Sequence, residues 1–124
     1  MDFDTFKKKV KEAIPVGTVL QNPGGGTSVI VSYSDSGISY KRGNATIYVS
    51  FRDLFDAYSH FEGQQVTSSD LKSYAPSIYD SNARPAGHGC NCTFLFMVLC
   101  RLPLVVRIEG SGVRGDPFQV YIPK

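Results

Sequence analysis

The most unusual composition in the chain is the segment GHGCNC at residues 87–92, where an imidazole stands beside two thiols. His88, Cys90 and Cys92 are candidate metal ligands, with His60 as a possible fourth. Structural zinc sites, however, usually space paired cysteines by two or more residues. Alternatively, a cysteine at the start of a helix has a lowered pKa, and His88 could act as its base in nucleophilic catalysis.

A simpler interpretation of the same segment is favoured. The glycines form a loop, Asn91 caps the helix that follows, and the cysteines pack as small hydrophobic side chains. We therefore expect no metal, no cofactor and no catalytic residue, while His88, Cys90 and Cys92 remain the catalytic candidates of the alternative.

A second candidate site is a glycine-rich tip near the C-terminus that contains Arg114. Glycines let a backbone approach closely, and an arginine offers a charge-assisted contact to phosphate. Arg107, Lys124 and the lysines of the first helix, including Lys8, could add phosphate contacts. The alternative is an ordinary hairpin turn and a solvated helix face.

Residues 50–122 are predicted to run helix, helix, helix, two-stranded hairpin, the order of a winged-helix module. The hairpin strands would be residues 104–109 and 118–122. In such modules the third helix enters the major groove and the hairpin tip touches phosphates. The third helix here, residues 91–102, is apolar around its whole circumference, which is typical of a buried helix. Its apolar surface between Phe94 and Leu102 also suggests a homodimer.

The first half of the chain predicts a helix and an antiparallel meander. Asp4 would cap a helix that Pro15 ends, and strands are expected at residues 17–21, 28–33, 38–41 and 46–51. The loop at residues 22–26 has three glycines but lacks the lysine of a phosphate-binding loop, so it is interpreted as a simple turn.

Between the meander and the third helix, capping residues predict two further helices. The first would begin after Ser50 and end at Gly63. The second would begin at Thr67 and end before Pro76, with residues 77–89 as a loop. The predicted fold class is therefore α+β: an N-terminal helix, an antiparallel β meander, then helices and a C-terminal β-hairpin with winged-helix-like order.

The bulk composition indicates one domain over residues 1–124, since 42% hydrophobic and 19% charged residues favour a packed core over disorder. The longest apolar run is interrupted by Arg101, Pro103 and Arg107, so no membrane span is expected. Three crowded cysteines suggest a reducing, cytoplasmic setting. A net charge of +2 is compatible with DNA or RNA as partner but does not demand one.

Three stretches carry a resemblance to a known group of proteins: YKRGNATIYVSFRDLFDAY at residues 40–58, VTSSDLKSYAPSIYD at 66–80 and GHGCNCTFLF at 87–96. Together the chain resembles small uncharacterised bacterial domains of mobile DNA, such as integron gene-cassette proteins and segments beside restriction-type nucleases. The resemblance would span residues 15–122. It implies a DNA context and brings no catalytic residues, and no nuclease signature is visible.

The leading hypothesis is therefore a non-enzymatic binding or regulatory domain associated with nucleic acid. Two alternatives stay open. One is a small enzyme or ligand-binding protein that uses the loop from His88 to Cys92. The other is a purely structural or protein-interaction module.

Overall fold

The computed structural model describes residues 1–83 and 87–124. The N-terminal half contains one helix and four strands: α1 (Phe3–Ala13), β1 (Val19–Gln21), β2 (Thr27–Tyr33), β3 (Gly37–Arg42) and β4 (Ala45–Ser50). The second half contains α2 (Phe51–His60), β5 (Gln64–Thr67), α3 (Ser68–Tyr74), α4 (Pro76–Tyr79), α5 (Cys90–Arg101) and β6 (Gln119–Ile122). The α+β class is confirmed.

The four N-terminal strands form the predicted antiparallel meander, in the order β1-β2-β3-β4. A two-residue turn joins β3 to β4, and its Gly43 adopts a φ of 61° that side chains rarely tolerate. Alternate residues of these two strands face the core, among them Tyr40 and Ile47, which also pair across the strands. Arg42 is the last residue of β3, directly before the turn to β4.

Helix α1 packs against the core with the face that the sequence predicts. Phe6 and Val10 of the helix and Ile14, its C-cap, are fully buried. Its N-cap is Asp2 and not Asp4, because the carboxylate of Asp2 accepts a 2.8 Å hydrogen bond from the amide of Thr5. Asp4 instead lies in the first turn, where a negative charge is favoured by the helix dipole.

The two later capping predictions are confirmed. Ser50 caps α2 through the amide of Asp53, and Thr67 and Asp70 form a reciprocal capping box on α3. Pro76 does follow the end of α3, but it also begins the four-residue helix α4 inside the predicted loop. Proline is well suited to a first helical turn, where its missing N–H costs nothing.

The C-terminal pair of antiparallel strands is present, but its partners differ from the predicted ones. β6 pairs with β5, and residues 104–109 contribute only the bridge between Glu109 and Gln119. The reason is burial: Val66 and Val120 pair with both side chains fully buried, whereas Val106 is 84% exposed. The prediction of a hairpin from residues 104–109 and 118–122 is therefore wrong for its first strand, whose place is taken by β5.

Helix α5 is the central helix of the core. Every side chain from Phe94 to Leu99 is at most 5% exposed, and the ring of Phe94 stacks on Tyr40 with centroids 3.9 Å apart. The chain thus covers the helix by itself. A homodimer through the stretch from Phe94 to Leu102 stays a prediction. None of the described helices is both long and apolar enough to cross a bilayer.

Candidate nucleic-acid interface

A surface cavity of about 420 Å³ lies where the end of α5 meets β1 and the segment that follows the helix. Its floor is apolar, with Leu20 and Met97 almost completely buried. Two cations line it, Arg101 from the last turn of α5 and Arg107 from the segment beyond. The cavity therefore combines an apolar base with positive charge.

Neighbouring cavities share lining residues with this one on both sides. A cavity of about 200 Å³ shares Val106 and Arg107 and adds Tyr121 of β6. A cavity of about 310 Å³ shares Arg101 and adds Lys9 of α1. We call the surface formed by Lys9, Arg101, Val106, Arg107 and Tyr121 the basic groove.

The chain reaches this arrangement through the way α5 ends. The amide of Leu104 donates to the carbonyl of Leu99 at 2.9 Å, so the backbone turns back beneath the helix. That turn buries Val105 at 4% exposure and leaves the next residue, Val106, outside. Arg107 follows at the same surface. On the far side, Tyr121 is 50% exposed because alternate residues of β6 point away from the core.

Among the described residues, Lys9, Arg101 and Arg107 form no ion pair with a carboxylate. Over residues 1–83 and 87–124 the ion pairs are Lys8 with Glu12 and Arg52 with Asp56. Glu12 lines the cavity that holds Lys9 and Arg101, but its ion-pair partner is Lys8. Glu109 lines the cavity beside Arg107 without reaching ion-pair distance. The dipole of α5 favours a cation at Arg101. Arg107 lies beyond the end of α5, so the helix dipole does not explain a cation at that position.

The predicted phosphate contacts are spread over the molecule. Arg107 lies in the basic groove. Lys8 is exposed on α1 and pairs with Glu12 at 4.0 Å, while Lys124 lies against Gly63 beyond α2. Arg114 is exposed in a turn closed by the Asp116 carboxylate. Of these three, Lys8 lies beside the groove, because its partner Glu12 lines the cavity that holds Lys9 and Arg101. No described contact brings Lys124 or Arg114 to the groove.

The turn around Arg114 has its own internal support. The Asp116 carboxylate accepts hydrogen bonds from the amide and hydroxyl of Ser111, at 3.0 and 2.8 Å. Gly112 adopts a φ of 77°, and a Cβ there would collide with the ring of Phe118. The tip is thus a well-defined turn, and Arg114 is the one cation among residues 111–117.

The segment from His88 to Cys92 divides into exposed and buried parts. His88 is exposed and Cys90 is half-buried, whereas Cys92 is 1% exposed. The Cys92 sulfur lies 3.7 Å from the carbonyl oxygen of Ser68 and 3.6 Å from that of Tyr79. Burial raises the pKa of Cys92 to about 12, so its thiol is protonated near neutral pH. This environment disfavours Cys92 as a nucleophile.

Asn91 does not cap α5, so that prediction is wrong. It is the second residue of the helix, 2% exposed, and its side chain joins two other elements. Its Oδ1 accepts from the hydroxyl of Tyr40 at 2.7 Å, and its Nδ2 donates to the carbonyl of Ile78 at 2.9 Å. These bonds satisfy an amide that would otherwise be costly to bury.

In the part of the chain that the structure describes, no three side chains of His, Cys, Asp or Glu come together as a metal site. The predicted fourth ligand, His60, is engaged by aromatic rings. It stacks on Tyr74 with centroids 4.4 Å apart and meets Phe61 edge-on at 4.7 Å.

The sequence predicted phosphate contacts at Arg107 and at the lysines of the first helix, which include Lys9, but did not indicate the other residues of the basic groove. Arg101, Val106 and Tyr121 belong to different elements and share no sequence motif. The signal in the sequence is the interruption of an apolar run by two cations, Arg101 and Arg107.

No family model, curated protein or solved structure matches the chain. The resemblance to domains of mobile DNA therefore stays a prediction.

Proposed function

We propose that this protein is a non-enzymatic, cytoplasmic binding domain that holds a single strand of nucleic acid in the basic groove. One observation carries the proposal: cations that form no ion pair line the groove together with an exposed aliphatic and an exposed aromatic side chain. The resemblance to domains of mobile DNA adds a DNA context to the same proposal, and the three free thiols fit a reducing compartment.

The chemistry of a single strand suits this surface. Phosphates would accept charge-assisted hydrogen bonds from Arg101 and Arg107, which are spaced along the groove. A base would stack on the ring of Tyr121, with Val106 beneath it. Stacking on an aromatic ring tolerates any base. The groove therefore favours binding that depends on strandedness and salt more than on sequence.

Duplex DNA is the weaker partner for this fold. Reading a major groove requires a helix with an accessible polar face. The helix in the position of a recognition helix, α5, is instead the buried centre of the core. Double-stranded DNA would meet only scattered exposed cations.

The test is fluorescence anisotropy of the full chain with labelled strands of about 15 nucleotides, as single-stranded DNA, single-stranded RNA and duplex. Arg107→Gln should weaken single-strand binding about tenfold, because one charge-assisted contact is lost. Arg52→Gln is the control, since that exposed arginine pairs with Asp56 away from the groove.

Arg114→Gln separates the groove from the predicted hairpin tip. If Arg114→Gln weakens binding and Arg107→Gln does not, the tip is the contact and the groove proposal is wrong. A wild-type chain that binds none of the three probes at low salt would overturn nucleic-acid binding altogether.

A further inference from the structure

A larger cavity, of about 480 Å³, opens at another part of the molecule. It lies between the glycine-rich loop at residues 22–26, the turn after β3 and the start of α5. Arg42, Asn22, Cys90, Thr93 and Phe118 contribute side chains to its wall. It shares no lining residue with the basic groove. Arg42 is the only charged side chain among its described lining residues.

The guanidinium of Arg42 is held in place by neutral groups. Its Nε donates to the hydroxyl of Ser28 and its Nη1 donates to the hydroxyl of Thr93, both at 3.0 Å. The Ser28 hydroxyl in turn donates to the Oδ1 of Asn22 at 2.6 Å. A cation is thereby positioned at the cavity by β2, the glycine-rich loop and α5 together.

The charge of Arg42 has no counterion. Over residues 1–83 and 87–124 no carboxylate lies within ion-pair distance of it, and its Nη2 is buried without a hydrogen-bond acceptor. Burying a charged donor without an acceptor is costly, and buried guanidinium groups are normally paired with an anion. The fold therefore leaves one donor of this partly buried cation without an acceptor beside the cavity.

The start of α5 adds to the same positive field. This helix of 12 residues begins at the cavity wall, where Gly89, Cys90 and Thr93 lie, and its first turn holds no acidic residue. The positive end of its dipole favours a bound anion there. Opposite it, Gly25 and Gly26 have φ values of 108° and 74° and present backbone without side chains. A ligand can approach that backbone closely.

We propose that this cavity binds a small organic phosphate. The phosphate group would lie between Arg42 and the start of α5, and the organic part would pack on the ring of Phe118. Rotation of the guanidinium end toward the cavity would exchange a neutral hydroxyl acceptor for an anionic oxygen and provide Nη2 with its missing partner. The volume suits a molecule larger than a bare anion.

This site is independent of nucleic-acid binding in the basic groove, because the two share no residue. Either can fail while the other holds. The ordinary explanation of Arg42, a purely structural tie between β2 and α5, predicts that phosphate compounds leave the protein unaffected.

The test is a titration of the ¹⁵N-labelled full chain with phenyl phosphate, inorganic phosphate and phenol, followed by amide chemical shifts. Phenyl phosphate should shift the amides of Gly24–Gly26, Gly43, Gly89 and Cys90 and bind more tightly than inorganic phosphate. Phenol should have the weakest effect. Arg42→Gln should weaken binding of both phosphates about tenfold or more, since a charge-assisted contact is lost.

The control is Arg52→Gln, which removes an exposed arginine of α2 and should bind phenyl phosphate like the wild type. Phe118→Ala should weaken phenyl phosphate and leave inorganic phosphate unchanged. Equal affinity in wild type and Arg42→Gln would overturn the proposal. If Arg42→Gln does not fold, the wild-type shifts decide: changes absent, or confined to residues outside the cavity, would also overturn it.

Discussion

The thiol of Cys92 lies beneath the first turn of α5, against the carbonyl oxygens of Ser68 and Tyr79. From sequence, this cysteine and Cys90 looked equivalent, since both stand near the start of a helix. The structure separates them, because only Cys92 is enclosed. Such a difference depends on what other elements cover each side chain, and the two residues' own neighbours in the chain do not reveal it.

Thiol labelling tests this difference. Burial raises the pKa of Cys92 from 9.0 to about 12, so near pH 8 the thiolate fraction is roughly a thousandfold smaller than in the unfolded chain. We expect a variant with Cys92 as its sole cysteine to react with a disulfide reagent at least about a hundredfold more slowly folded than in urea. A variant with Cys90 alone provides the comparison.

The raised pKa of Cys92 also makes the free energy of unfolding depend on pH. The folded state holds the Cys92 proton more tightly than the unfolded state does. The stability that the protonated, buried thiol contributes to the folded state is therefore fully present below about pH 9 and is lost as the pH rises toward 12.

The labelling experiment can also contradict this account. If folded Cys92 reacts as fast as Cys92 in the unfolded chain, the burial argument is wrong, and thiol chemistry in the segment from His88 to Cys92 is supported.

At the scale of elements, the side chain of Asn91 ties α5 to β3 and to the end of α4. Removing it leaves the buried hydroxyl of Tyr40 without an acceptor and takes one of two donors from the carbonyl of Ile78, which keeps its 3.1 Å bond from the amide of His88. We expect Asn91→Ala to lower the free energy of unfolding by about 2–4 kcal/mol in urea denaturation. Asn82→Ala, at an exposed asparagine, should change it by less than about 0.5 kcal/mol.

A double-mutant cycle with Tyr40→Phe isolates the bond between the two elements. The decreases in the free energy of unfolding caused by Asn91→Ala and Tyr40→Phe should not add up in the double variant. The coupling energy should be about 1 kcal/mol or more, because both substitutions break the same hydrogen bond. Full additivity would show that Asn91 stabilises the fold in some other way.

Elements with a local signal were predicted well from sequence. The meander followed from β-branched runs separated by tight turns, and α2 and α3 followed from Ser50 and Thr67 at their N-caps. The partner of β6 could not be predicted in this way. Residues 104–109 are closer to β6 in sequence than β5 is. β6 nevertheless pairs with β5, because this pairing buries Val66 beside Val120, and such burial is not visible from distance along the chain.

Both candidate sites depend on the whole molecule. The basic groove is assembled from α1, the end of α5, the segment after it and β6. The cavity lined by Arg42 combines the glycine-rich loop at residues 22–26 and the turn after β3 with the start of α5. From sequence, the glycine-rich loop at residues 22–26 predicts only a simple turn, since it lacks a phosphate-loop motif. Its role as a cavity wall depends on Arg42 and α5, which come from elsewhere in the chain.

The measurement that tests the central claim most directly is the salt dependence of single-strand affinity. If Arg101 and Arg107 each contact a phosphate, the Arg101→Gln/Arg107→Gln variant should show a slope of log affinity against log salt that is shallower by about 1.4, at about 0.7 for each contact. Arg114→Gln should keep the wild-type slope. An unchanged slope in the double variant would contradict the proposal that the basic groove binds nucleic acid.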